Sequence, residues 1–326
     1  LHTSLIRQFK NEKQGSLSIT NVVTISILSF LYFCGKVPDV CVVLNKDKLN
    51  IMTNKREKIS YLILEKMSLD FNIAWLNSGK IKHLIIDNLL PESLALEIYR
   101  SFPDQEDMEL RQGLQERKFI SVEFTSDSSL IEETLYAFQE SSVVSSLAKL
   151  CGIPDLSGDP ELYAGGISSM NAGCFLNPHI DNSHDRLRKR YRRLNLLYYV
   201  SPDWNSSTEG CLQIYPDGLN QKPITIPSVF NRLVIMATDK KSIHSVSKIS
   251  DQNPSRRLCV SNYYFSANSA EGDKYYHSTS FRGFPGEFGK DLLLRANAQL
   301  RTAVKSLTGT FFGSVVSKGH FRKHDN

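Results

Sequence analysis

Between residues 162 and 265 the sequence breaks into eight short stretches, each the length of a strand: 162–170, 174–181, 194–200, 211–215, 223–226, 232–237, 243–247 and 257–265. They are rich in Val, Ile, Leu, Tyr and Phe, and Gly, Pro, Asn and Asp stand between them. A series of short strands at this spacing folds as a sandwich or jelly roll. The expected class is therefore mainly β with flanking helices.

The second stretch carries Asn177-Pro178-His179-Ile180-Asp181. Side chains two apart in a strand share a face, so His179 and Asp181 can reach one ion while Ile180 turns away. His244 follows the apolar run Leu233-Val234-Ile235-Met236-Ala237 and a turn-like Thr238-Asp239-Lys240-Lys241, and is the best-placed third ligand. Two imidazoles and one carboxylate on one face form the facial triad that holds non-haem Fe(II) and leaves positions open. Thirteen positions on (257 − 244), Arg257 opens the last strand. A guanidinium there can grip a carboxylate through two parallel hydrogen bonds. Arg256 falls on the opposite face by alternation and reads as structural.

With these landmarks in order, residues 159–265 resemble an iron- and 2-oxoglutarate-dependent dioxygenase of the prolyl-hydroxylase type, and most resemble a bacterial-looking branch. Gly173-Cys174-Phe175-Leu176-Asn177-Pro178-His179-Ile180-Asp181 is similar to the iron-binding strand. Arg193-Leu194-Asn195-Leu196-Leu197-Tyr198-Tyr199-Val200 with Asp203-Trp204 is similar to the next strand and turn. Then come Glu209-Gly210-Cys211-Leu212-Gln213-Ile214-Tyr215, Pro227, Asn231-Arg232-Leu233-Val234-Ile235, Ser242-Ile243-His244 and Arg257. The resemblance implies a double-stranded β-helix (jelly-roll) core. It implies His179, Asp181 and His244 as Fe(II) ligands, and 2-oxoglutarate chelating the metal with its far carboxylate on Arg257. Tyr199 would donate a phenol hydrogen bond to that carboxylate, with Asn195 and Ser261 facing the same space. O₂ is the oxidant, ascorbate a further candidate cofactor, and succinate and CO₂ the products. One departure stands out. Some prolyl hydroxylases place a tyrosine against the co-substrate about ten residues before the first histidine, and Ser169 stands there.

Two other readings explain part of the pattern. A zinc-dependent hydrolase would use the three ligands and an activated water, but gives Arg257 no role. A non-enzymatic jelly-roll binding module would use the strands but not the triad.

The 326 residues, 41% hydrophobic and 22% charged, suit a globular protein with a substantial core. The expected organisation is an N-terminal extension (1–51), a helical or α+β support (52–160), the catalytic core (161–268) and a C-terminal arm and helix (269–326). In the support, a short strand over 83–88, a helix over 89–102 and a helical stretch over 131–150 stopping at Gly152 are expected. Residues 104–118 read as charged and exposed. Residues 290–307 predict a helix with Leu292, Leu293, Ala296, Leu300 and Val304 on one face. The uncharged run 17–33 is short and polar for a membrane span. Residues 1–51 read as an upstream segment, with a cytosolic start at Met52 or Met67; an N-terminal membrane anchor is the alternative. Six cysteines show no C-x-x-C pair and read as reduced core residues.

A net charge of +5 is mild, and no nucleic-acid partner is expected. The substrate class stays open: a peptide, an amino acid or a glycan-linked small molecule. Arg186-Leu187-Arg188-Lys189-Arg190-Tyr191-Arg192-Arg193 leaves directly from the metal strand, so an anionic substrate is one expectation. The other is a solvated loop whose arginines pair with acids such as Asp203 or Glu209. His277, His320 and His324 lack a partner at ligand spacing.

Overall fold

All eight expected stretches form strands in the computed structural model, which describes residues 52–68, 71–121, 129–163, 165–204 and 206–308, with side chains to 304. The fold reported is that of the unit beginning at Asn54. The run 17–33, His320 and His324 lie outside the described residues.

The jelly-roll strands are β4 (Gly166–Met170), β5 (Phe175–Ile180), β6 (Tyr191–Tyr199), β7 (Leu212–Ile214), β8 (Ile224–Ile226), β9 (Arg232–Ala237), β10 (His244–Val246) and β11 (Arg257–Ser266). Their pairing is antiparallel throughout and runs β9-β6-β11-β4 in one half and β5-β10-β7-β8 in the other. Counted along the eight, those orders are 6-3-8-1 and 2-7-4-5, the interleaving of two Greek keys that defines a double-stranded β-helix. Sequence pattern put β4 too early, at 162, and β6 three residues too late, because Tyr191-Arg192-Arg193 looks like loop.

Four further strands extend the sheet. β1 (His83–Ile86) pairs with β9. The hairpin β2 (Glu109–Gln112) and β3 (Glu116–Ser121) falls in the charged stretch 104–118, which is exposed along most of β2 as expected but half-buried along β3. β3 pairs with both β4 and β5 and joins the two halves. β12 (Ser280–Phe281) lies on the outer edge of β5.

The helices are α1 (Lys55–Met67), α2 (Asn72–Asn77), α3 (Glu92–Arg100), α4 (Ser129–Gln139), α5 (Ser141–Cys151) and α6 (Phe288–Thr308). The stretch 131–150 is two helices, not one. Glu140 is extended (φ −56°, ψ 136°), and the Gln139 side chain is drawn to Asn262 and the Asp159 amide, both at 2.6 Å. Gly152, at φ +67°, caps α5 in the left-handed conformation that suits glycine. α4 braces the outer sheet face: the Tyr264 hydroxyl donates to the Phe138 carbonyl at 2.7 Å, and the Phe138 and Tyr198 rings lie 6.0 Å apart.

α6 docks through a face other than its apolar stripe. Leu294 and Ala298 are buried, while Leu292, Leu293, Ala296, Leu300 and Val304 are exposed. Polar contacts select that face: Asp291 binds Arg282, Lys290 reaches Asn177, and Arg301 donates to the Thr279 carbonyl. Among the described residues no helix is long and apolar enough to cross a membrane. Cys174, Cys211 and Cys259 are buried free thiols, and Cys151 is half-buried.

Candidate active site

β5 and β10 bring the metal-capable residues together. They pair with His179 directly opposite His244, so both imidazoles share one face, and the register shifts by one residue between His244 and Val246. Asp181 stands one residue past β5. Ligand atoms of His179, Asp181 and His244 all lie within 4.8 Å of one another. Asp181 Oδ1 is 3.6 Å from His179 Nε2, and Oδ2 is 3.7 Å from His244 Nε2.

Each histidine is fixed by the carbonyl two residues before it: His179 Nδ1 to Asn177 at 2.9 Å, and His244 Nδ1 to Ser242 at 3.0 Å. A carbonyl only accepts, so Nδ1 carries the proton and Nε2 is left as the ligand atom. Burial and the neighbouring His179 push the His244 pKa down to about 4, which keeps it neutral. Burial opposes ionisation of Asp181, but Arg192 and the two histidines outweigh it and hold the carboxyl below the usual carboxylate range. Two neutral imidazoles and an ionised carboxylate are the donor set Fe(II) takes. Asp181 Oδ2 is buried and accepts no hydrogen bond, so the residues present fit a metal ion.

Arg192 is the site residue that sequence reasoning missed. Its Nη1 is 3.4 Å from Asp181 Oδ2, Nη2 donates to Asn182 Oδ1, and the guanidinium lies over the Tyr263 ring at 4.0 Å. Its place in a run of arginines concealed it. Phe281, stacked on His179 at 5.1 Å, was also missed; Ser280-Phe281 carries no local signal.

Arg257 lies deeper on the inner face. It is buried, donates from Nε to Ser228 Oγ at 2.8 Å, touches Met170 Sδ at 3.5 Å, and sits 4.8 Å over the Tyr199 ring. Among the described residues no carboxylate pairs with it. The Tyr199 hydroxyl is buried without a hydrogen-bond partner, and burial pushes its pKa up to about 12. A buried phenol without a hydrogen-bond partner beside a guanidinium without a carboxylate can together take an anion. Tyr199 and Cys259 pack with Leu212, Ile214, Val234 and Met236.

The other expected residues are placed as follows. Asn195 is buried with Oδ1 unpartnered. Ser261 is half-buried and donates to the Gly166 carbonyl at 3.2 Å. Ser169 faces away from the cavity and meets Arg256, which also donates to the Pro103 carbonyl. Met170, not Ser169, is the β4 side chain turned inward against Arg257. His277 is outside the three-residue cluster; its Nε2 is buried without a partner.

In the basic loop, Arg190 binds Asp185 and Ser157, Arg193 binds the Asn268 and Ser269 carbonyls, and Arg186 lies 3.7 Å from Glu161. Arg188 stacks on Tyr276 at 4.3 Å. The acids involved are Asp185, Asp181 and Glu161 rather than Asp203 or Glu209.

Residues 165–265 match the 2OG-Fe(II) oxygenase superfamily. Over those residues the chain is similar to that superfamily, which takes Fe(II) as cofactor and 2-oxoglutarate as co-substrate, and the His179–Asp181–His244 cluster lies within them. A Phytophthora capsici prolyl 4-hydroxylase structure is similar at 18% identity and TM-score 0.47, covering 78% of this chain and 79% of that one. A Pseudomonas putida prolyl-4-hydroxylase gives 15% and 0.45, covering 60% and 98%. A Trichoplax adhaerens prolyl hydroxylase, in complex with a hypoxia inducible factor peptide fragment, gives 18% and 0.43, covering 65% and 91%. The strand order, not these superpositions, identifies the jelly roll, and no bacterial branch is singled out. No curated protein matches the chain.

Proposed function

We propose that the protein hydroxylates a carbon of its substrate, with His179, Asp181 and His244 holding Fe(II) and Arg257 and Tyr199 gripping the far carboxylate of 2-oxoglutarate. The observation that carries this reading is the buried Arg257–Tyr199 pair, lacking a carboxylate, on the same barrel interior as the triad. Bound iron and co-substrate supply the oxidising chemistry: one oxygen atom of O₂ enters the substrate, and the other enters succinate as CO₂ leaves. The protein's own residues orient and exclude. The Asn177 and Ser242 carbonyls aim the imidazoles, Arg192 holds the carboxylate, and Phe281 covers His179. The apolar cluster around Tyr199 keeps water from the co-substrate.

A zinc hydrolase would leave Arg257 and Tyr199 without purpose. A prolyl residue is the substrate that the sequence resemblance suggests, with free amino acids and glycan-linked molecules as the other classes. The test is succinate release over a panel of peptides and metabolites, with product mass measured. A gain of one oxygen, dependent on Fe(II) and 2-oxoglutarate, is expected. Turnover without 2-oxoglutarate, or hydrolysis with zinc, overturns the reading.

A further inference from the structure

α6 seats on the protein through its less apolar side. Leu294 and Ala298 are buried there, and Asp291, Lys290 and Arg301 hold that side to Arg282, Asn177 and the Thr279 carbonyl. Among the described residues nothing covers the apolar side. Phe288 is 83% exposed, Leu292 69%, Leu293 62% and Leu300 67%. A surface helix ordinarily buries its apolar stripe, and a contiguous apolar patch left in water marks an interaction surface.

The residues along the stripe decide what fits it. Gly289, Leu293, Ala296, Leu300 and Ala303 follow one another at alternating steps of four and three, the seam of a two-helix coil. All of them are exposed, and a Cβ at Gly289 would meet nothing within 4 Å. Along the seam leucine alternates with glycine or alanine. A second copy laid antiparallel, about a two-fold axis level with Ala298, sets Leu293 against Ala303 and Ala296 against Leu300. Each large side chain then meets a small one, and the surface complements itself. A parallel pair in register would set leucine against leucine. The flanking Leu292, Asn297, Gln299 and Val304 carry no charge. Two copies of a chain with net charge +5 therefore meet no like charges at the seam, and a charged partner finds no counter-charge there.

We infer that α6 is the interface of a homodimer, in which the stripes of two copies pack as an antiparallel helix pair centred at Ala298. From Gly289 to Val304 the seam runs about 24 Å. One helix pair of that length is at the small end of specific interfaces, so the dimer is reversible, with a Kd in the micromolar range. It is independent of the oxygenase chemistry.

Sedimentation equilibrium of the full chain across the micromolar range tests this. The wild type shows a monomer–dimer equilibrium. Leu300→Asp sets a charge against the partner's Ala296 and raises Kd at least about tenfold. Ala296→Leu adds apolar surface but sets leucine against leucine, and weakens association several-fold. Ala296→Leu/Leu300→Ala exchanges large and small and restores it. A merely sticky surface gives the opposite order, with Ala296→Leu the tightest. Unfolding of the monomer, followed well below Kd, is unchanged in Leu300→Asp, so lost association is not lost folding. A wild type that stays monomeric throughout overturns the inference, as does a dimer indifferent to Leu300→Asp or strengthened by Ala296→Leu. A monomer destabilised by Leu300→Asp also overturns it, and gives the stripe to another segment of the same chain.

Discussion

Arg257 is the residue whose replacement separates binding from stability. Its guanidinium is 3% exposed, with Ser228 and Met170 as hydrogen-bond partners and no carboxylate among the described residues. A hydrogen bond to a charged group contributes about 1.5–3 kcal/mol. Arg257→Lys keeps the charge but replaces a two-pronged grip with a single point. Loss of one such bond weakens 2-oxoglutarate by roughly 10- to 150-fold. Arg257→Met removes the grip entirely and also removes a buried cation that lacks a counterion, a change that is often neutral or stabilising. The expected result is a variant that melts no lower than wild type yet no longer binds 2-oxoglutarate, read by thermal denaturation and by calorimetry on Mn(II)-loaded protein. Arg256→Lys, on the outer face, leaves affinity unchanged. Unaltered 2-oxoglutarate affinity in Arg257→Met, or a loss in Arg256→Lys that exceeds the loss in Arg257→Lys, refutes the reasoning.

Three further outcomes follow from local geometry. Gly210 sits at φ +59°, and a Cβ there would come within 2.6 Å of Trp204 and 2.9 Å of Arg257 Cδ; Gly210→Ala displaces Arg257 and lowers 2-oxoglutarate affinity at least several-fold, while Mn(II) affinity alone is unchanged. His184 is buried among Tyr191, Tyr275 and Tyr276, and burial lowers its pKa. Its contribution to stability is therefore present above the unfolded value of about 6.5 and is lost as pH falls through the lower folded value. His184→Phe accordingly flattens the acid limb of a plot of melting temperature against pH, and an unchanged limb contradicts this. On α6, Leu294→Asp buries an unpaired charge and destabilises by about 2–5 kcal/mol, whereas Leu293→Asp, in solvent, stays within about 0.5 kcal/mol in denaturant unfolding.

The jelly-roll strands were legible because each is short, apolar and bounded by turn residues. The triad was legible because its ligands lie on strands whose period is fixed. Part of what escaped has one physical cause: charged side chains line part of the interior. Glu116 and Lys118 point inward yet read as surface, so β3 was taken for an exposed stretch. Arg192 is buried against Asp181 yet lies in a run of cations that reads as solvated loop. α6 escaped for the converse reason. Its apolar stripe runs along Leu292, Leu293, Ala296, Leu300 and Val304, but Asp291, Lys290 and Arg301 seat it on Leu294 and Ala298.

The central claim is that His179, Asp181 and His244 hold Fe(II) with a site open to 2-oxoglutarate. Anaerobic addition of Fe(II) and 2-oxoglutarate tests it most directly. A weak visible charge-transfer band near roughly 500–530 nm is predicted for the wild-type protein, absent in each of His179→Ala, Asp181→Ala and His244→Ala. A wild-type protein that gives no band and binds zinc tightly instead contradicts the claim.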